Sequence, residues 1–137
     1  MAFQGYLMKF GGLEFPNRYL VTSSYKITPN QRLEKDSFRD ANYLLHRETL
    51  GSYKTKIDFT TRDNFKLQDK INMFNVFKSG LLSSRERKYA IEYWNDETST
   101  YCSGNFYMPD VEFTIKKIQL NSNSLIYGPI RIAFIEY

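Results

Sequence analysis

Cys102 and His46 are the single thiol and the single imidazole among 137 residues. A Cys–His nucleophile pair needs both side chains together. Here they fall in different predicted elements, with His46 inside a charged stretch, and Cys102 reads as a small half-buried strand residue. A serine nucleophile would draw on the same His and on a G-x-S-x-G elbow, which is absent. One Cys excludes an internal disulfide and a CxxC site. One Cys and one His together exclude His-rich and Cys-rich zinc sites. No D-x-D-x-D-G loop is present for a hard cation. Neither phosphate-cradling pattern, G-x-x-x-x-G-K-[ST] or G-x-G-x-x-G, occurs, and Gly11-Gly12 reads as a turn. Asp36, Asp40 and Glu48 flank Arg39 and Arg47. A glycosidase or nuclease needs carboxylates held in a dry cleft, whereas this stretch is polar and solvated. The better reading is ion pairing across a subunit boundary, each exposed pair contributing about 0–1 kcal/mol. No catalytic residue, metal ligand or cofactor is expected, and the chain is not expected to be an enzyme.

The elements that would position such residues are mostly strands. The chain holds 11 Tyr, 11 Phe and one Trp, types that suit a pleated, half-buried surface. Residues 3–10 and 13–15 read as a short hairpin about Gly11-Gly12, closed by Pro16-Asn17. Residues 18–28 read as a strand ending at Pro29-Asn30. Residues 53–61 alternate, with Tyr53, Thr55, Ile57, Phe59 and Thr61 on one side and Lys54, Lys56, Asp58 and Thr60 on the other. Residues 63–79 change period: Leu67, Ile71, Phe74 and Lys78, widened by Met73, Val76 and Phe77, predict one helix. Thr61 or Asp63 would be its N-cap, and Gly80 its left-handed C-terminal residue. Residues 88–94 predict a strand with Tyr89, Ile91 and Tyr93 on one face, followed by a polar turn. Residues 101–108 are the return strand, where Gly104 marks a bulge or a close approach. Residues 111–118 predict a strand with Phe113 and Ile115 inward. Residues 125–137 predict a last strand interrupted at Gly128-Pro129, with Ile130, Ile132 and Phe134 on one face. The order is about four strands, one helix, four strands.

Residues 30–52 are the exception. They carry Arg32, Lys35, Arg39 and Arg47 against Glu34, Asp36, Asp40 and Glu48, and few apolar residues before Leu44. Their turn is placed at residues 40–42. Two readings are open: a solvated loop, or an extended hairpin arm. Ten residues of strand reach about 33 Å, beyond the roughly 14 Å radius of gyration of a compact chain this long. An arm of that reach would need a neighbouring subunit to satisfy its backbone and cover Leu44, Leu45 and Leu50.

Length bounds the chain to one domain, 1–137. No apolar run approaches the roughly 18 residues of a transmembrane helix. The first ten residues lack the basic and long apolar regions of a secretory leader. The net charge is +4 and unevenly spread. Residues 1–50 carry seven basic and five acidic groups, 51–88 nine and four, and 89–137 three and six. Such polarity favours head-to-tail pairing of copies. A single-stranded nucleic-acid-binding barrel is the alternative, since aromatics interleave with Lys and Arg at residues 53–56 and 85–89. Against it, strand 53–61 sends its aromatics and its lysines to opposite faces.

Six stretches carry a resemblance: residues 1–11 (MAFQGYLMKFG), 24–32 (SYKITPNQR), 38–42 (FRDAN), 54–61 (KTKIDFTT), 104–110 (GNFYMPD) and 129–137 (PIRIAFIEY). Together they resemble a family of small phage and prophage proteins from Gram-positive hosts. That resemblance implies a tail structural protein encoded near the tape-measure gene, similar in plan to tail-tube proteins and the ring domains of distal tail proteins. The fold it implies matches the residue-level reading: mainly β, an antiparallel β-sandwich or barrel with a single flanking helix at 63–79 and a long arm at 30–52. It further implies a homo-oligomeric ring, expected to be hexameric, in the virion tail of a particle made in the host cytoplasm. Other tube, tape-measure or baseplate components would be its partners. No membrane is implied, and nucleic acid would be met only as cargo passing through a lumen. Arg32, Arg39, Asp40 and Arg47 are the candidate subunit-interface residues. Many distal tail proteins carry an additional domain, for which this chain has no room.

Overall fold

Side chains alternate in and out along β7 (Lys88–Asn95), burying Tyr89, Ile91, Tyr93 and Asn95, and the same pattern holds in β4 (Leu45–Thr60), where Thr55, Ile57 and Phe59 are buried. Such period-2 burial is what one covered face of an antiparallel sheet requires. The computed structural model describes residues 3–39 and 41–137, with backbone alone for 32–39 and 45–53. The other strands are β1 (Met8–Phe10), β2 (Leu13–Glu14), β3 (Lys26–Arg39), β5 (Phe65–Lys66), β6 (Leu81–Ser83), β8 (Thr100–Tyr107), β9 (Ile115–Gln119), β10 (Ser124–Tyr127) and β11 (Arg131–Glu136). The helix α1 spans Leu67–Lys78.

One antiparallel sheet runs in the order β2-β1-β7-β8-β11-β4-β3, with β6 beside β7. A second, three-stranded sheet has the order β5-β10-β9. The large sheet is strongly curled. β1 and β11 are three ladders apart, roughly 14 Å on a flat sheet, yet the rings of Phe10 and Phe134 are 5.5 Å apart. Phe15, just beyond β2, likewise lies 5.4 Å from Phe59 on β4. α1 fills the trough. Phe77 contacts Phe10 at 5.1 Å, Phe134 at 5.4 Å and Phe15 at 5.6 Å, the last pair nearly parallel. The result is the expected antiparallel β architecture with one helix on its flank.

Several local expectations are corrected. Residues 17–24 hold two short 3-10 turns, Asn17–Tyr19 and Thr22–Ser24, and β3 starts only at Lys26. The Ser24 hydroxyl donates to the Val21 carbonyl at 2.6 Å and accepts from the Thr60 N–H at 3.0 Å. Those side-chain bonds replace the ladder that a strand would need. β3 then passes through Pro29-Asn30 instead of ending there. This is possible because β3 is an edge strand, and Pro29 lies in a bulge. The helix starts four residues late. Asn64 takes φ 58°, outside helical space, and Phe65 and Lys66 pair with β10. Neither Thr61 nor Asp63 caps it; Lys66 holds the N-cap position without a side-chain bond. Its buried face is Met73 and Phe77, while Ile71 is exposed.

Gly80 is not left-handed. A β-carbon there would meet the Ala90 carbonyl oxygen at 2.6 Å, so close packing on β7 requires the glycine. The interrupted last strand is two strands in two sheets. Gly128 and Pro129 carry the chain from β10 to β11, with the Gly128 N–H bonded to the Thr114 carbonyl at 2.9 Å. Residues 109–114 lie outside any strand, and Phe113 and Ile115 are exposed where inward positions were expected. β9 edges the small sheet and does not cover the main core. Among the described residues, five strands therefore precede the helix and six follow it.

Candidate assembly site: the hairpin arm and its root

β3 and β4 pair from Lys26–Asp58 out to Arg39–Leu45. β11, the neighbour on the other side of β4, stops pairing at Lys56. Among the described residues, β4 beyond that point has ladder partners on β3 alone. Residues 32–39 and their partners thus form a two-stranded ribbon about 25 Å long that projects past the sheet. The arm reading, not the loop reading, describes residues 30–52. Three irregularities interrupt its ladder, between Thr28 and Gln31, Arg32 and Glu34, and Glu34 and Asp36. The register places the extra residues on β3 at the first, on β4 around Gly51 at the second, and on β3 again at the third. Bulges of this kind bend a ribbon and raise its twist.

The root of the arm is a polar network set beside the apolar core. Asn30 sits in the first bulge at φ 50°, a left-handed conformation that Asn tolerates well. A bulged residue cannot use its N–H in the ladder. The Asn30 N–H donates to Thr55 Oγ1 at 3.2 Å. That oxygen also lies 3.1 Å from the Tyr93 hydroxyl. Thr55 and Tyr93 are both buried. The Thr55 N–H, past the end of the β11 ladder, donates to Glu136 Oε1 at 2.8 Å. Asn95 Nδ2 donates to Asn30 Oδ1 at 3.3 Å, and Asn95 Oδ1 accepts from the Glu97 N–H at 3.0 Å, closing the β7–β8 turn. Burial pushes the Tyr93 phenol above its ordinary value near 10; the Thr55 hydrogen bond acts against that shift, and the Glu136 carboxylate adds to it. Gly104 completes the arrangement. A β-carbon there would meet Glu136 Oε2 at 2.5 Å, so a larger residue would make the carboxylate shift from the position in which it reaches Thr55. The Lys54 ammonium bonds the Tyr137 carbonyl on the outer side.

Of the candidate interface residues, Arg32 stands opposite Tyr53 at the root, and Arg39 opposite Leu45 and Arg47 opposite Ser37 in the distal ribbon. Asp40 lies outside the described residues. His46 is on the arm, opposite Phe38, and Cys102 is on β8 opposite Tyr93, so the lone imidazole and thiol belong to separate elements. The root residues Asn30, Thr55, Tyr93, Asn95 and Glu136 went unnoticed in the sequence. Their signal was a polar residue in an inward slot, such as Thr55 in the series Thr55, Ile57, Phe59. Lys54 and Lys56 lie on the opposite face from Ile57 and Phe59, which are fully buried. The ring of Phe59 is therefore closed to the base stacking that a nucleic-acid barrel relies on.

A search of curated proteins finds no match. Among solved structures, one similar chain comes from the tail of an empty GTA particle computed with helical refinement and C6 symmetry. It is 14% identical, with a TM-score of 0.49, over 99% of this chain and 95% of that one. A model of a protein family of unknown function, DUF6711, matches residues 1–137. With its whole length inside that match, the chain belongs to the DUF6711 family.

Proposed function

We propose that this protein is a structural component of a bacteriophage tail that assembles with copies of itself into a closed ring. The observation that carries the reading is the arm. A two-stranded ribbon standing alone in water is marginal at best. Past Thr55, β4 has ladder partners among the described residues on β3 alone, and its other edge is one along which a neighbouring subunit could add a strand. A contact from the arm of one copy to the body of the next is heterologous, and such contacts close into rings when the rotation permits. The work of the protein is then geometric. The curled sheet supplies a rigid wall, and the arm ties each wall segment to the next. No catalytic step belongs to this role.

The six family-like stretches support the setting: the tail of a phage of Gram-positive hosts, in the tube or at the distal tail or baseplate, with a hexameric ring. The protein would be made in the host cytoplasm and carried in the virion. Negative-stain imaging of the untagged protein tests the reading. Rings or stacked tubes are expected, and dispersed single subunits at tens of micromolar would contradict self-assembly.

A further inference from the structure

The face of the large sheet turned away from the core carries a row of side chains that ring assembly does not use. Pairing sets Lys56 opposite Ile135, Ile135 opposite Tyr107, and Tyr107 opposite Lys88, one residue from each of β4, β11, β8 and β7. Their chain neighbours Ile57, Phe134, Phe106 and Tyr89 are buried, so the row points outward. The two lysines stand three ladders apart, about 14 Å on a flat sheet. Tyr107 is 36% and the adjoining Tyr137 43% exposed. Their rings meet edge to face at 5.6 Å, and the Lys88 ammonium lies 4.7 Å from the centre of the Tyr137 ring. Lys54, the next outward residue of β4, bonds the Tyr137 carbonyl. Three ammonium groups thus frame two half-exposed tyrosine rings.

The carboxylates around this patch are engaged elsewhere. Asp58 holds Arg131 at 2.6 Å, and Asp110 holds Arg87 at 3.1 Å. Glu136 accepts the Thr55 N–H, and Glu86 accepts the Tyr137 hydroxyl at 3.3 Å. Glu112 lies across a cleft from Lys56 without an ion pair. Among the described residues, neither Lys56 nor Lys88 has an ion-pair partner.

Charge alone would suit any polyanion, and rings alone any apolar partner. The two interleaved suit a single-stranded nucleic acid, in which phosphates alternate with unstacked bases. An antiparallel sheet face bearing exposed aromatic rings is a platform for such bases. A duplex keeps its bases paired and would leave the rings unused. Phe59 is closed to stacking, but these rings come from β8 and from the residue after β11, brought beside the β4 lysines by the sheet.

We propose that this face binds single-stranded nucleic acid, with Lys54, Lys56 and Lys88 on phosphates and Tyr107 and Tyr137 against bases. The inference does not rest on the ring reading, and either stands without the other.

The test is fluorescence anisotropy of the full chain with a labelled oligothymidylate of about 12 nucleotides. Binding is expected at about 1–100 μM protein in low salt, and a plot of log affinity against log salt should slope near −2, about −0.7 for each of three phosphates. The double variant Lys56→Gln, Lys88→Gln should flatten that slope by about 1.4. Tyr107→Leu should keep the slope and weaken binding about fivefold or more. Both variants should melt as the parent does, since the sites are on the surface. No binding at about 100 μM protein in low salt overturns the proposal. So does unchanged binding in either variant, or a duplex of equal length that binds as tightly. Inorganic polyphosphate competing as well as unlabelled oligothymidylate would show a site for charge alone and overturn the role of the rings.

Discussion

The carboxylate of Glu136 accepts the backbone N–H of Thr55 at 2.8 Å, across the point where the β11 ladder gives out. One side chain thereby continues the sheet to the root of the arm. Losing it leaves a part-buried donor unpaired, at a cost of about 1–3 kcal/mol. Glu136→Ala should lower stability by that amount in urea denaturation, and Glu136→Gln, which keeps an acceptor, by less. Equal losses in the two variants would show that the bond is not the cause.

Gly104 and Glu136 should be coupled. A methyl at position 104 would press on the carboxylate, which lies 2.5 Å from the β-carbon position. Gly104→Ala should therefore cost stability by displacing the Glu136 carboxylate from Thr55, and should cost less in the Glu136→Ala background. A double-mutant cycle reads this directly, and strictly additive losses would contradict the steric account.

The Tyr93 phenol, raised by burial, ties stability to alkaline pH. In the unfolded chain the phenol ionises near pH 10, while the native chain holds its proton longer. The contribution is complete below about pH 10 and is lost as pH rises through the native value. Urea midpoints measured from about pH 8 to 11.5 should fall beyond about pH 10. Tyr93→Phe should flatten that fall, although it also removes the bond to Thr55. An unchanged slope would remove Tyr93 from the alkaline transition.

Thr55→Val tests the root without changing its shape. The substitution leaves the Asn30 N–H and the Tyr93 hydroxyl without their shared oxygen. A loss of about 1–3 kcal/mol is expected. Hydrogen exchange should quicken at Asn30 if the bond protects that amide, and unchanged exchange there would contradict the assignment.

Much of this fold was legible because alternation is a local signal. Thr55, Ile57, Phe59 and Tyr89, Ile91, Tyr93 could be assigned to inward faces from spacing alone. The arm was legible from its charge density and reach. What failed depended on partners distant in sequence. Leu125 and Ile132 read as one strand, but Gly128-Pro129 sends them to different sheets. Ile71 and Phe113 read as core, yet the curl of the large sheet gives that place to Phe77 and Phe15. The polar root was hidden for the same reason. Asn30, Thr55, Asn95 and Glu136 are unremarkable one by one, and only the curl brings β3, β4, β7 and β11 to a common point.

The account stands most directly on the arm. Replacing residues 33–52 with Asn-Gly joins Arg32 to Tyr53, which already face each other in the ladder, through a two-residue hairpin turn. Light scattering coupled to size exclusion would then compare the shortened and full-length chains at equal concentration. The account predicts a multi-subunit mass for the full chain and a folded monomer for the shortened one. Equal masses for the two would contradict it.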